Sequence, residues 1–207
     1  MEPTTNKAPI LYMTLGHPGS GKTFFARQYA AAMGIPLVDT ERLRFELFED
    51  PEYSNQEDNV VAGIADYMTE QFLSAGLSVV VDGLSGPRVR RHALRELARK
   101  YKATPFIVWV QTDINTAFNR ARNRDRRNPY DKFAKQLSSA EFERETSRTK
   151  APQHEDYVVI SGKHVFRNQM NVVERKLAAI IHNTNSPRTV TLGGRVDLSR
   201  RKPRPRV

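Results

Sequence analysis

Short apolar runs alternate along this chain with longer stretches whose apolar residues recur at helical spacing. Ile10-Leu11-Tyr12-Met13-Thr14-Leu15 is β-prone and stops at Gly16, which predicts a buried strand. Thr23 to Met33 is rich in Ala and aromatics and ends at Gly34, so a helix is expected there. Pro36-Leu37-Val38 reads as a brief second strand, and Asp39 or Thr40 is placed to cap a helix to about Glu49. Val61, Ile64, Ala65, Met68, Phe72 and Leu73 set a helical stripe over Asp58 to Ala75, closed by Gly76. A third strand, Leu77 to Val81, ends at Asp82-Gly83. Pro87 suits the first turn of a helix running to about Lys100, and Pro105 to Val110 is the fourth strand. Further helices are expected from Ile114 to about Asn123, from Ala140 to Ser147 and from Asn168 to His182. The fifth strand is Tyr157 to Ile160.

Strands alternating with helices imply right-handed crossovers. The expected fold class is α/β, with a five-stranded parallel sheet covered by helices on both faces. In such sheets ligands collect at the carboxyl ends of the strands. Gly16, Asp82 and Gln111 all follow strand ends, so one crevice is expected to gather them.

A chain of 207 residues suits one such domain. The expected division is a flexible leader over 1–8, a domain over 9–183 and a basic, disordered tail over 184–207. The chain has no cysteine, which excludes disulfides, thiolate metal sites and a cysteine nucleophile, and fits a cytoplasmic location. The first residues lack the apolar core of a secretory signal, and no apolar run is long enough to span a bilayer. The formal charge of +10 is concentrated in two places. Arg120 to Arg127 holds five Arg against Asp125, and Thr184 to Val207 holds seven Lys or Arg against Asp197. Either segment could meet RNA or DNA; the plainer reading is a solvated basic surface. No aromatic interleaves the terminal basic run, so stacking on single strands is not supported there.

The chemistry is carried by Gly16-His17-Pro18-Gly19-Ser20-Gly21-Lys22-Thr23, which matches G-x-x-x-x-G-K-[ST]. Its glycines let backbone N–H groups turn toward phosphates, and the following helix adds its positive end. Lys22 is expected to reach the β- and γ-phosphates of ATP, and Thr23 to ligate Mg²⁺. Asp82, after three valines, is the candidate second Mg²⁺ ligand; the competing reading is a simple loop cap. Gly83 stands where motor-type ATPases commonly carry a water-activating Glu, which favours transfer to a bound acceptor over hydrolysis. The histidines at 17, 92, 154, 164 and 182 do not pair at metal-ligand spacing.

Together, the phosphate loop, the stretch Leu73-Ser74-Ala75-Gly76-Leu77-Ser78-Val79-Val80-Val81-Asp82 and the Arg-rich segment resemble small P-loop kinases. These are the ones related to polynucleotide kinase, chloramphenicol phosphotransferase and the zeta toxins. The resemblance covers about Ile10 to His182 and implies a mobile lid and an ATP:alcohol phosphotransferase. It places Glu41 where the family has its proton-accepting acid. Glu stands here in place of Asp, and Asp39 remains the alternative base; both are equally ordinary first-turn acids. It places Arg44 on the arginine that holds an acceptor's phosphate or carboxylate, and Arg91 facing the acceptor. Arg120 and Arg124, four apart, are expected to share a helix face and meet the nucleotide, one on adenine and one on the transferred phosphoryl group. The acceptor is a hydroxyl of a small molecule or of a polynucleotide. Two alternatives stand beside this: a nucleotide-binding adaptor that holds RNA or DNA through the basic lid and tail, and a toxin-like kinase of a sugar nucleotide.

Overall fold

The computed structural model describes residues 8–83, 86–129 and 131–185 of the chain, with side chains described as far as Ile181. The leader (residues 1–7) and the basic tail beyond Asn185 lie outside the described residues. Five strands form one parallel sheet: β1 (Ile10–Leu15), β2 (Leu37–Asp39), β3 (Val79–Asp82), β4 (Thr104–Gln111) and β5 (Tyr157–Ser161), in the order β2-β3-β1-β4-β5. Register runs Met13 beside Val81 and Ile107, Asp39 beside Asp82, and Gln111 beside Ser161. The chain order reverses across β1, with β3 on one side and β4 on the other. The crevice at its carboxyl end is therefore the switch point where α/β sheets bind ligands.

Each face of the sheet has its own core. On one, Tyr12, Val80, Phe106 and Val108 pack under α1 (Lys22–Met33) and α7 (Phe166–Asn185), through Phe25, Tyr29, Val173 and Leu177. On the other, Leu11, Met13, Val79, Val81 and Ile107 pack under α3 (Asn55–Ser74) and α4 (Arg88–Lys100), through Ala65, Leu73, Leu94 and Ala98. The central strands are buried on both sides, which is why β3 is an unbroken apolar run ending in one acid. A smaller cluster of Ala117, Ala121 and Phe142 joins α5 (Ile114–Arg122) to α6 (Ser139–Arg148). No helix among the described residues is long and apolar enough to cross a membrane.

Boundaries differ from expectation where capping decides them. α2 (Thr40–Leu47) stops two residues before Glu49. α3 starts at Asn55, not Asp58, because the Ser54 hydroxyl accepts from the N–H of Glu57 and supplies a cap. Pro87 sits at the N-cap of α4, one position before the first turn. α7 begins at Phe166 and runs to Asn185, past the expected His182.

Candidate active site

The phosphate loop fills the link between β1 and α1, with Gly21 as the N-cap of the helix. Lys22 therefore opens α1 and folds back, its Nζ donating to the His17 carbonyl at 2.8 Å. Burial lowers the Lys22 pKa to about 8; nearby Asp82 and Glu41 oppose that shift and Arg124 adds to it. These causes show that Lys22, Asp82, Arg124 and Glu41 share one electrostatic neighbourhood. Two buried polar atoms of the loop, His17 Nδ1 and Ser20 Oγ, have no protein partner. Buried polar atoms without a partner at the N-terminus of α1 are what an anionic ligand would satisfy, so the loop fits a nucleotide polyphosphate.

Asp82 ends β3 directly beneath Thr23. The Thr23 hydroxyl donates to Asp82 Oδ2 at 2.6 Å, and Thr14 donates to Oδ1. Burial and the adjacent Asp39 carboxylate both raise the Asp82 pKa. A buried carboxylate beside a hydroxyl at the phosphate end is the donor set that suits Mg²⁺, a hard cation that takes few protein oxygens and keeps water and phosphate for the rest. Thr23 and Asp82 are thus brought together. Gly83 follows with φ near 104°, and a Cβ there would lie 1.9 Å from Thr40 Oγ1. The Thr40 hydroxyl in turn donates to the Asp82 carbonyl at 3.0 Å. A side chain after Asp82 would therefore require Thr40 to shift.

Asp39 and Glu41 differ sharply in their surroundings. Asp39 is buried, caps α2 by accepting from the Arg42 N–H at 3.1 Å, and pairs with Arg27 at 2.8 Å. Its oxygens are committed, which disfavours it as a base. Glu41 is partly buried one half-turn later, with the Tyr53 hydroxyl 3.4 Å away as its donor. Desolvation raises its pKa, against lowering by Arg44 and Arg124.

Two arginines have protein partners that the sequence did not suggest. Arg44 lies near Glu41, yet its Nη1 is bound to Glu57 at 2.9 Å, its Nη2 to Asp58, and its guanidinium covers the Tyr53 ring at 4.7 Å. It organises the α2–α3 corner, with only its Nε left without a partner among the described residues. Arg91 is fully buried. It donates to Glu155 from Nε at 3.0 Å and from Nη2 at 3.0 Å, and to the Gly86 carbonyl from Nη1 at 2.8 Å. It moors the segment before β5 to α4 and does not face an acceptor.

The Arg-rich segment is also rearranged. α5 ends at Arg122 and Asn123 is its C-cap, so Arg120 and Arg124 do not share a helix face. Arg120 is exposed and donates to the Gly162 carbonyl at 3.1 Å, beside the phosphate loop. Arg124 turns the other way. It donates to the Lys135 carbonyl at 2.6 Å, and it faces Glu41, which opposes the lowering of its pKa by burial. Of the sequence candidates, the structure gathers Lys22, Thr23, Asp39, Glu41, Asp82 and Arg124.

Sequence reasoning missed three contributors. Tyr53, with φ near 59°, carries the hydroxyl that meets Glu41. Thr112 donates to the Ser20 carbonyl at 3.1 Å, tying the end of β4 to the loop. Gly162 lets the segment after β5 touch the loop, since a Cβ there would lie 1.8 Å from the Ser20 carbonyl oxygen. A glycine two residues after the predicted strand end was the one visible sign of that approach.

Comparison with known proteins agrees with this architecture. Kti12 of Chaetomium thermophilum, solved with ADP-AlF3, superposes with a TM-score of 0.62 at 18% identity, covering 82% of this chain and 98% of that one. A gluconokinase from Sinorhizobium meliloti gives 0.60 at 18%, covering 86% and 97%. The APS kinase CysC of Mycobacterium tuberculosis, solved with AMPPNP and APS, gives 0.59 at 17%, covering 83% and 98%. At these identities the likeness shows a common fold. No curated protein sequence matches the chain. The family model described as AAA domain matches residues 11–152, from β1 and the phosphate loop to the end of α6 and just beyond, and on that match the chain belongs to the AAA domain family.

Proposed function

We propose that the chain is an ATP-dependent phosphotransferase that moves the γ-phosphoryl group to a hydroxyl acceptor. One observation carries the reading: the phosphate-loop lysine, a buried carboxylate under Thr23 and a desolvated glutamate lie in one electrostatic neighbourhood. Solved proteins of this fold include a gluconokinase and an APS kinase, whose chemistry is of this class. Gly83 points the same way, because it stands where motor-type ATPases carry a water-activating Glu.

The acceptor oxygen attacks the γ-phosphorus as the bond to the β–γ bridging oxygen breaks, and ADP leaves with that electron pair. Glu41 takes the hydroxyl proton. Burial raises its pKa, against lowering by Arg44 and Arg124, which makes it a better proton acceptor than an exposed glutamate when it is ionised. Lys22 and Arg124 offset charge on the phosphoryl oxygens, and Arg120, beside Gly162, borders the nucleoside end of the crevice. Thr23 and Asp82 would hold Mg²⁺, which supplies neutralisation of the polyphosphate charge. The test is γ-labelled ATP incubated with pools of sugars, nucleosides and oligonucleotides. Label should pass to an acceptor and should not do so with Lys22→Ala. Label released only as inorganic phosphate, whatever acceptor is present, would overturn the proposal.

A further inference from the structure

Glutamate is a long, freely rotating side chain, so a Glu41 carboxylate that meets an acceptor has to be held by a partner. The partner comes from the link between α2 and α3. Tyr53 has φ near 59° there, in the left-handed region that bulky side chains rarely take. A buried acid, Glu57, pins this conformation. The Tyr53 N–H donates to Glu57 Oε2 at 2.7 Å, and the Glu52 N–H donates to Glu57 Oε1 at 2.9 Å. Glu57 Oε2 also accepts from Arg44 Nη1, which ties the same corner to α2.

The strained backbone fixes the direction of the ring. The Arg44 guanidinium lies over it at 4.7 Å and the Lys135 ammonium at 4.7 Å. Contacts from α2, α3 and the segment after α5 thus converge on one side chain, and its one polar atom lies 3.4 Å from Glu41 Oε2. Backbone strain that the surroundings maintain in this way collects at functional sites. Burial first, and then Glu41, raises the Tyr53 pKa, so the hydroxyl stays protonated and acts as the donor. The other groups that face Glu41 are Arg44 on its own helix, Arg124 after α5, Asp39 at the end of β2 and Lys22 on α1. Those groups act on it through charge, which has no preferred direction. A hydrogen bond has one.

We infer that Tyr53 is a positioning residue for the base: its hydroxyl holds Glu41 Oε2 and so leaves the other carboxylate oxygen aimed at the acceptor's proton. This rests on the phosphotransferase reading and adds a residue to it. Tyr53 itself touches no reacting atom and acts through Glu41.

The test reads Glu41 directly. The full chain, labelled with carbon-13 at its glutamate carboxyl carbons, is titrated with acid by NMR, and the Glu41 signal is assigned by its loss in Glu41→Gln. Tyr53→Phe keeps the ring and its cation contacts and removes only the hydroxyl. Loss of a donor to the ionised form should raise the Glu41 midpoint by about half to one pH unit. Site-specific 3-fluorotyrosine at position 53, a stronger donor of nearly the same shape, should lower that midpoint. In transfer of label from ATP to the pooled sugars, nucleosides and oligonucleotides, Tyr53→Phe should slow turnover about tenfold, with the KM for ATP changed less than about twofold. Its acid limb should move up with the NMR midpoint, and its melting curve should stay where it is. An unmoved midpoint, or a fluorinated protein that shifts in the same direction as Tyr53→Phe, overturns this inference and leaves the transferase reading standing. So does a shifted midpoint with wild-type turnover. Absence of transfer by the wild-type chain overturns the transferase reading and this inference with it, and the NMR midpoints tell that outcome from the others.

Discussion

Replacing Arg91 tests whether this residue is a support or part of the chemistry. The side chain is fully buried and donates to Glu155, Gly86 and the Ala151 carbonyl, while Glu155 also accepts from the Gln153 N–H at 3.3 Å. Arg91→Met keeps the apolar volume and leaves the largely buried Glu155 carboxylate with Arg95, at 4.0 Å, as its one ion-pair partner among the described residues. Removing one partner of such a pair costs about 3–5 kcal/mol. For a domain of this size each kcal/mol moves Tm by about 2–4 °C, so a fall of roughly 6–20 °C is expected. Arg91→Met/Glu155→Leu replaces both charges by apolar groups and should recover most of that loss. The assay is thermal unfolding of the two single variants and the double variant, together with phosphotransfer by each. The double variant should be stable and should turn over near the wild-type rate. A stable double variant that has lost transfer would show that Arg91 touches the acceptor, and the structural assignment would be wrong.

Other outcomes follow from the same geometry. Lys22→Ala should lower turnover about 10²–10³-fold with an unchanged melting curve; a smaller effect would remove Lys22 from the transferred phosphoryl group. Nucleotide affinity should fall as pH rises through about 8. The lysine is charged below that value in the free protein, and the polyphosphate favours the charged form, so binding takes up a proton above it. Titration calorimetry in buffers of different ionisation enthalpy reads that uptake, and its absence would contradict the buried lysine. Glu41→Gln should abolish the acid limb of the turnover–pH profile. Glu41 accepts the proton only when ionised, and its pKa is raised, so that limb should lie above the usual glutamate range. Gly162→Ala should cost about 1–3 kcal/mol of stability and weaken nucleotide binding, because the new methyl group must push the segment after β5 off Ser20; a variant with wild-type melting and affinity would deny that contact.

How much of this could be read from residues alone depended on the range of the interaction. β1, the phosphate loop and α1 were legible because a strand, a glycine turn and a helix start are written in consecutive positions. The pairing of Thr23 with Asp82 followed from topology, since Asp82 ends β3 and the loop that leads to Thr23 leaves the carboxyl end of the neighbouring parallel β1. The partners of Arg44 and Arg91 were not legible because residue type does not name a partner. Glu57 lies 13 residues from the first and Glu155 lies 64 from the second. The end of α5 near Asn123 was legible, and setting Arg124 on one helix face with Arg120 ran past that end. The stacking of Arg126 on Phe45 and of Lys135 on Tyr53 joins residues more than 80 apart, and no spacing rule reaches that far. Asp39 and Glu41 looked equivalent until Arg27 and the Arg42 N–H were seen to occupy the former.

The most direct measurement is the affinity of the wild-type chain and of Lys22→Ala for AMPPNP, with and without Mg²⁺, by titration calorimetry. Saturable one-to-one binding that needs the lysine and tightens with the metal is the predicted result. Equal binding by both proteins, or none by either, would contradict the assignment of the β1–α1 loop as the nucleotide site.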